Sequence, residues 1–160
     1  MTCEGEITLS GPSGSRTVRA GDFFTGPLST LRHADEIITE LHLPKWPSGR
    51  RWAFRKYARR EGDFALAGIL LFYDENRQGS LSNAHVGVIG ACLRPHRLTR
   101  VETLLHGHAI DDGLIRQAAA TAAEEVDPPD DLHADAAYRR GLVATLIERG
   151  LWAAAQQRSA

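Results

Sequence analysis

The stretch "WAFRKYARREGDFALAGILLFY", residues 52–73, has the pattern of two neighbouring strands joined by a tight turn. Its first part, residues 52–60, mixes aromatic and basic side chains over the length of one strand. Glu61, Gly62 and Asp63 provide the turn. Residues 64–73 form a nearly continuous apolar run, which is typical of a central strand covered on both faces. The stretch therefore predicts an antiparallel hairpin with a basic first strand and a buried second strand.

The residues that follow the hairpin predict a third strand and then three helices. "LSNAHVGVIGACL", residues 81–93, reads as a strand whose small side chains allow close packing. In the first helix, Thr99 and Glu102 have the spacing of a capping box, and Asp135 is placed to cap the last helix. Strands followed by helices favour an α+β fold. We expect an antiparallel sheet of three or four strands with about three helices packed on one face.

The second and third helices each carry an apolar stripe at helical spacing. In the longest helix, Arg139, Arg140 and Glu148 are expected to lie largely off that stripe. The predicted core positions are Leu114, Ile115, Ala118, Ala119 and Ala122, followed by Val143, Leu146, Ile147, Gly150, Leu151 and Ala154.

A separate pattern precedes the hairpin. "EITLSGPSGSRTV", residues 6–18, predicts a hairpin with a Gly-rich turn, and "DEIITELHLP", residues 35–44, predicts a strand that ends at proline. "KWPSGR", residues 45–50, contains two prolines and a glycine and is the best linker candidate. We therefore divide the chain into a first part, residues 1–50, and an α+β domain, residues 51–160.

Composition limits the function classes. The chain has 160 residues, of which 42% are hydrophobic and 24% charged, and only two cysteines, so no disulfide framework is expected. It contains no apolar run of signal-peptide or membrane-span length, and we predict a cytoplasmic protein without a membrane partner.

Charge is distributed unevenly although the formal net charge is only −1. Residues 45–60 hold seven basic residues and no acid, whereas residues 111–135 hold eight acids and one arginine. This asymmetry is typical either of a polyanion site or of two opposite patches on one surface, including a subunit contact. Because the overall charge is slightly acidic and aromatic residues are few, we expect no nucleic-acid partner.

No complete catalytic constellation or metal site is visible in the sequence. His106 and His108 flank a glycine at a predicted helix end, but no Cys, Asp or Glu accompanies them at ligand spacing. Cys92 lies in an apolar strand, where a packing role is expected. We therefore assign no catalytic residue and no metal ligand.

Five stretches, taken in order, resemble the FAD-binding medium subunit of molybdenum hydroxylases, the family of carbon monoxide dehydrogenase and xanthine dehydrogenase. The central one is similar to the family signature "F-x-K-x-x-R-R-x-x-D-x-A". Two departures are Ile89-Gly90 where the family has Gly-Gly, and Asp135 where it has Ser. The stretches are "TVRAGDFFTGP" (17–27), "DEIITELHLP" (35–44), "FRKYARREGDFALAG" (54–68), "VGVIGACLRPHRLTRVETLLHG" (86–107) and "DDLHADAAYRRGLVATLIER" (130–149).

The resemblance implies that residues 51–160 are the C-terminal α+β domain of such a subunit and that residues 1–50 are a remnant of its second flavin subdomain. It also implies three FAD-binding residues. Ile38 aligns with the hydrophobic residue that packs by the flavin ring. Arg55 or Lys56 aligns with the basic residue beside it, whose charge would favour negative charge on the ring.

The family's two Gly-rich flavin loops have no counterpart in these residues. The resemblance therefore implies a truncated or split medium subunit that takes part in flavin-mediated electron transfer with iron–sulfur and molybdenum subunits. We expect it to be inactive alone and not to retain FAD by itself. We also expect residues 1–44 to self-associate, to pair with a partner or to rearrange against the C-terminal sheet.

An alternative prediction is a stand-alone, flavin-free small-molecule-binding module or enzyme that re-uses the C-terminal domain. Exposed Trp46, Trp52, Phe54 and Tyr57 around a pocket would support this alternative.

Overall fold

The computed structural model describes residues 1–157 and divides the chain into two compact units, Met1–Trp46 and Pro47–Ala160. The first unit is built on a three-stranded antiparallel sheet in the order β2-β1-β5. Its elements are β1 (Glu6–Gly11), β2 (Gly14–Arg19), α1 (Ala20–Phe23), β3 (Phe24–Gly26), β4 (Ser29–Thr30) and β5 (Ile37–His42). The hairpin and the strand predicted before the linker are both confirmed.

The core of the first unit is small and has one buried carboxylate beside it. Ile7, Leu9, Ala20 and Phe23 form the apolar cluster. Glu36, which is only 8% exposed, receives two hydrogen bonds from Arg16, at 2.7 and 2.9 Å, and a third from the His33 backbone N–H. The Arg16 hydrogen bond is the main cause that lowers the pKa of Glu36 to about 2.

This pairing predicts acid sensitivity of the first unit. The pKa of Glu36 is about 2 in the folded chain and near its ordinary value of roughly 4.3 when unfolded. Its stabilising contribution is therefore present above about pH 4 and is lost as the pH falls toward 2. We expect Glu36→Gln to destabilise the unit at neutral pH and the difference from wild type to shrink below about pH 4, as measured by hydrogen exchange of β1 amides. Glu40→Gln, on exposed β5, is the control, and an unchanged pH profile in Glu36→Gln would refute the assignment.

The second unit confirms the predicted α+β fold. Its sheet is antiparallel throughout, in the order β6-β7-β8-β9, and the central apolar run forms β7, which is buried at six of its nine positions. The strands are β6 (Arg51–Tyr57), β7 (Ala67–Glu75), β8 (Leu81–Ile89) and β9 (His96–Arg97).

Two helices pack against this sheet, α2 (Thr99–Leu105) on β8 and α4 (Ala136–Ala155) on β6 and β7, and α3 (Asp112–Glu125) packs on both of these helices. Every predicted stripe residue of α3 and α4 is buried, which confirms the helical periodicity. Gly150 allows α4 to approach closely, because a Cβ there would lie 2.9 Å from Ile69 Cδ1 and 3.0 Å from Leu71 Cδ2.

Two local predictions were wrong. Thr99 and Glu102 form no capping box: Glu102 instead accepts hydrogen bonds from Arg97 and from the Val86 backbone, while Thr99 bonds Glu125. Arg139 does not lie on an exposed side of α4, because its side chain is only 4% exposed. In both cases a partner on another element offered a charged group a hydrogen bond that the spacing within one helix does not reveal.

Candidate functional site

Arg55 and Lys56, the two predicted flavin-side cations, lie next to each other on β6, the edge strand of the second unit. Arg55 pairs across the sheet with Ile69 and Lys56 pairs with Gly68. Because consecutive strand residues point to opposite faces, the two cations lie on different faces of the sheet. Lys56 shares its face with Trp52 and Phe54, which are 46% and 50% exposed, whereas Arg55 lies on the helix-bearing face at the open edge.

The two cations also differ in how they are held. The guanidinium of Arg55 donates one hydrogen bond, to the carbonyl of Phe54 at 3.1 Å, and makes no other polar contact within residues 1–157. The ammonium of Lys56 donates to the carbonyl of Asp63 at 2.9 Å and so braces the turn of the hairpin. Arg55 therefore keeps most of its five N–H donors free for an external anionic or carbonyl group.

The basic run around these residues is partly neutralised inside the unit. Arg50 forms a bidentate pair with Asp74, with both distances 2.8 Å, and Arg51 pairs with Glu75 at 2.5 Å. The hydrogen bond from Arg50 lowers the pKa of Asp74. Positive charge that remains available to a ligand is therefore concentrated at the far end of β6 and in the turn that follows it.

The free edge of β6 is partly closed by a side chain that the sequence did not point to. Gln157 accepts a hydrogen bond from the Trp52 N–H at 3.0 Å and donates one to the Trp52 carbonyl at 2.8 Å. One amide side chain thus makes both bonds that a neighbouring strand would make at this position. Only the arrival of α4 beside β6 creates this contact, so no local pattern predicts it.

Ile38 lies in the first unit, on the edge strand β5, and is 53% exposed. It pairs with Leu9, and a bulge after Thr8 makes Thr39 the extra residue of β5. Ile38 and Leu41 consequently lie on the same face as the buried Ile7 and Leu9, although simple alternation placed them on opposite faces. Arg55 and Lys56 belong to the other unit, and the assignment of all three residues to a flavin stays a prediction.

Metal-ligating and thiol side chains are further candidate groups in residues 1–157. Across residues 1–157, no three His, Cys, Asp or Glu side chains are grouped so that they would hold a metal ion. Cys92 is half-buried, and burial raises the pKa of its thiol. None of the helices in this part of the chain combines the length and apolar character needed to cross a membrane.

Comparison with known proteins gives a consistent assignment. Residues 52–154 match the CO dehydrogenase flavoprotein C-terminal domain. The chain is 32% identical to the nicotine 6-hydroxylase medium subunit of Paenarthrobacter nicotinovorans, covering 93% of this chain and 52% of that subunit. It is 31% identical to a chain in the solved carbon monoxide dehydrogenase from Hydrogenophaga pseudoflava, with a TM-score of 0.89 over 96% of this chain and 53% of that one.

A further relative is the glyceraldehyde dehydrogenase medium chain of Sulfolobus acidocaldarius, which is 32% identical over 88% of this chain and 49% of its own length. The present chain therefore spans about half the length of these relatives. The domain match covers the larger unit, and the longer alignments cover both units. The chain belongs to the CO dehydrogenase flavoprotein C-terminal domain family.

Proposed function

We propose that this chain supplies the C-terminal half of an FAD-binding medium subunit in an oxidoreductase of the molybdenum hydroxylase type. The observation that carries the proposal is the 31–32% identity to medium subunits along nearly the whole chain, in both units. In this role the chain contributes to electron transfer between partner subunits and is not itself the site of substrate oxidation.

Taken separately, each unit contains residues whose chemistry suits contact with a flavin. FAD, when bound, supplies the capacity to accept and pass on electrons. Arg55 offers an exposed guanidinium whose donors are largely free, and Lys56 adds a second positive charge on the same strand. A fixed positive charge favours negative charge on a neighbouring ring, and Ile38 offers an exposed apolar surface of the kind that packs against one.

The remaining part of the flavin site must come from other residues, in the same or another polypeptide. The exposed edge strand β5 supports this view, because none of its six residues is buried and four apolar side chains at or just after it are more than half exposed. An unpaired apolar edge is a ready partner for another strand. The four side chains are Ile37, Ile38, Leu41 and Leu43.

We further propose that the complete assembly includes iron–sulfur and molybdenum subunits. The relatives are named as medium or alpha subunits and chains, which are parts of larger enzymes. The substrate of such an assembly is set by the other subunits and does not follow from this chain.

A reconstitution experiment tests the proposal. The chain is co-expressed with the half of the Hydrogenophaga pseudoflava medium chain that it does not cover, and bound flavin is measured by absorbance after gel filtration. We expect a flavin-bearing complex from the pair and no retained flavin from the chain alone. Stoichiometric flavin on the chain alone would contradict the need for added residues. The proposal would be refuted if the chain formed no complex and retained no flavin, both with this half and with the corresponding halves of other relatives.

Substitution of the two cations tests the site itself. In the reconstituted complex, Arg55→Gln is expected to weaken FAD binding roughly ten- to a hundredfold, because a charge-assisted hydrogen bond contributes roughly 1.5–3 kcal/mol. Lys56→Gln, its matched control on the opposite face, is expected to have a smaller effect, since the Lys56 ammonium is already engaged by Asp63. A larger loss in Lys56→Gln would move the assignment to that residue.

A further inference from the structure

The arginine pairs at the two ends of the stretch 50–60 differ in their partners. Arg50 and Arg51 are neutralised by carboxylates across the sheet. Arg59 and Arg60, both exposed, have no carboxylate within ion-pair distance anywhere in residues 1–157. Arg59 and Arg60 lie just past the end of β6, so this end of the unit presents positive charge to solvent.

Arg59 is held by an imidazole. Its Nη1 lies 3.3 Å from Nδ1 of His133, which belongs to the loop before α4. Because a guanidinium has only donors, the imidazole Nδ1 accepts this hydrogen bond and the ring proton is on Nε2. The remaining N–H groups of Arg59 and the Nε2–H of His133 are all donors, so the pair offers no acceptor that would repel an anion.

Two tyrosines bridge the same two segments beside this pair. The rings of Tyr57, on β6, and Tyr138, on α4, meet edge to face with centroids 6.5 Å apart. They are 42% and 47% exposed, so each retains a surface on which another planar group can pack. The interaction with Tyr57 raises the pKa of Tyr138.

The segment that carries His133 and Tyr138 is held in place by two carboxylates. Asp131 accepts hydrogen bonds from the N–H groups of His133 and Ala134, at 2.8 and 3.0 Å, and from Arg139 at 2.6 Å. Asp135 caps α4 by accepting from the Tyr138 N–H at 2.6 Å. Neither carboxylate forms an ion pair with Arg59 within the described residues, and their hydrogen bonds hold the loop and the first turn of α4 in place before any ligand arrives.

We propose that Tyr57, Arg59, His133 and Tyr138 form a binding site for the diphosphate group of a nucleotide. The guanidinium of Arg59 and the Nε2–H of His133 would donate hydrogen bonds to phosphate oxygens, and the rings of the two tyrosines would contact the base or sugar. Arg50 and Arg51, at the other end of β6, are already paired with carboxylates, so the proposed site is confined to the end of the strand near Arg59. None of its four residues is among the predicted flavin contacts Ile38, Arg55 and Lys56. A test of this site is therefore independent of a test of the proposed function.

Calorimetric titration of the full chain tests this site with three probes: ADP, inorganic pyrophosphate and adenosine. We expect ADP to bind, pyrophosphate to bind more weakly and adenosine not to bind, with affinities that fall as salt is raised. Pyrophosphate that binds as tightly as ADP would confirm the phosphate contacts and overturn the role assigned to the tyrosines. The absence of binding by both phosphates would overturn the whole proposal.

Matched variants locate the binding. Arg59→Gln is expected to weaken ADP about tenfold or more, and Tyr138→Ala to weaken ADP but not pyrophosphate. Arg149→Gln, an exposed arginine elsewhere on α4, is the control and should bind as wild type. Equal losses in Arg59→Gln and Arg149→Gln would show nonspecific charge attraction and refute the site. All three positions are exposed, so we expect the thermal unfolding midpoint of each variant to be close to that of wild type. The same measurement identifies any variant that fails to fold.

Discussion

Replacing Gly90 by alanine is expected to destabilise the second unit by at least about 3 kcal/mol, because two independent costs act together. Gly90 has φ +76°, a left-handed conformation that disfavours any side chain. A Cβ at this position would also lie 2.5 Å from the carbonyl oxygen of Ala65, which belongs to the backbone and cannot rotate away. The end of β8 and the start of β7 would have to separate. Urea unfolding followed by circular dichroism measures the loss.

Gly141 provides the matched control for this prediction. It lies in α4, and a Cβ there would meet nothing within 4 Å. Gly141→Ala should therefore stabilise the chain by roughly 0.5–1 kcal/mol through helix propensity. A Gly90→Ala variant whose unfolding midpoint matches that of wild type would show that the close approach at residue 90 relaxes without cost.

Replacing Arg139 by methionine should have an effect of similar size, about 3 kcal/mol. The guanidinium of this buried residue donates to the carbonyls of Leu66 and Gly90, both at 2.8 Å, and to Asp131 at 2.6 Å. Methionine preserves much of the side-chain length but leaves these acceptors without their donor. Arg139→Met should also raise the pKa of Asp131, which backbone and Arg139 hydrogen bonds together lower to about 2.

The neighbouring Arg140 serves as the control, since it is 41% exposed and lies 3.6 Å from Asp127. Arg140→Met should change the unfolding free energy by less than about 1 kcal/mol, as is usual for an exposed ion pair. Arg139→Lys, which keeps the charge but loses the fork, should fall between the two. If Arg139→Met and Arg140→Met lose the same small amount of stability, the buried network does not stabilise the fold as argued.

Much of the fold was predictable because its signals are local. The apolar run of β7, the stripes of α3 and α4 and the Asp135 cap each depend on residues within a few positions, and the structure confirms each of them. The capping box at Thr99 failed for the opposite reason. Glu102 binds Arg97 and the Val86 backbone on the neighbouring strands, and a spacing rule cannot anticipate a competitor supplied by another element.

The candidate site was only partly predictable. The sequence placed Arg55 and Lys56 on one strand and left open which of them faces a ligand. The structure separates them by face and by partner, since Lys56 braces the turn while Arg55 stays largely free. The Tyr57, Arg59, His133 and Tyr138 cluster joins residues 74 or more positions apart, such as Arg59 and His133, and had no sequence signal beyond the basic run.

The sequence by itself determined the main strands and helices, the order of strands before helices in the second unit and the resemblance to a flavoprotein family, because periodicity and short motifs are properties of neighbouring residues. Tertiary structure alone decided which charges are neutralised, which are buried and which remain free. Arg139 is the clearest case: its acceptors Gly90 and Leu66 lie 49 and 73 residues away along the chain. A charged side chain can be buried only where such distant acceptors converge, and that convergence exists only after the sheet and helices have packed.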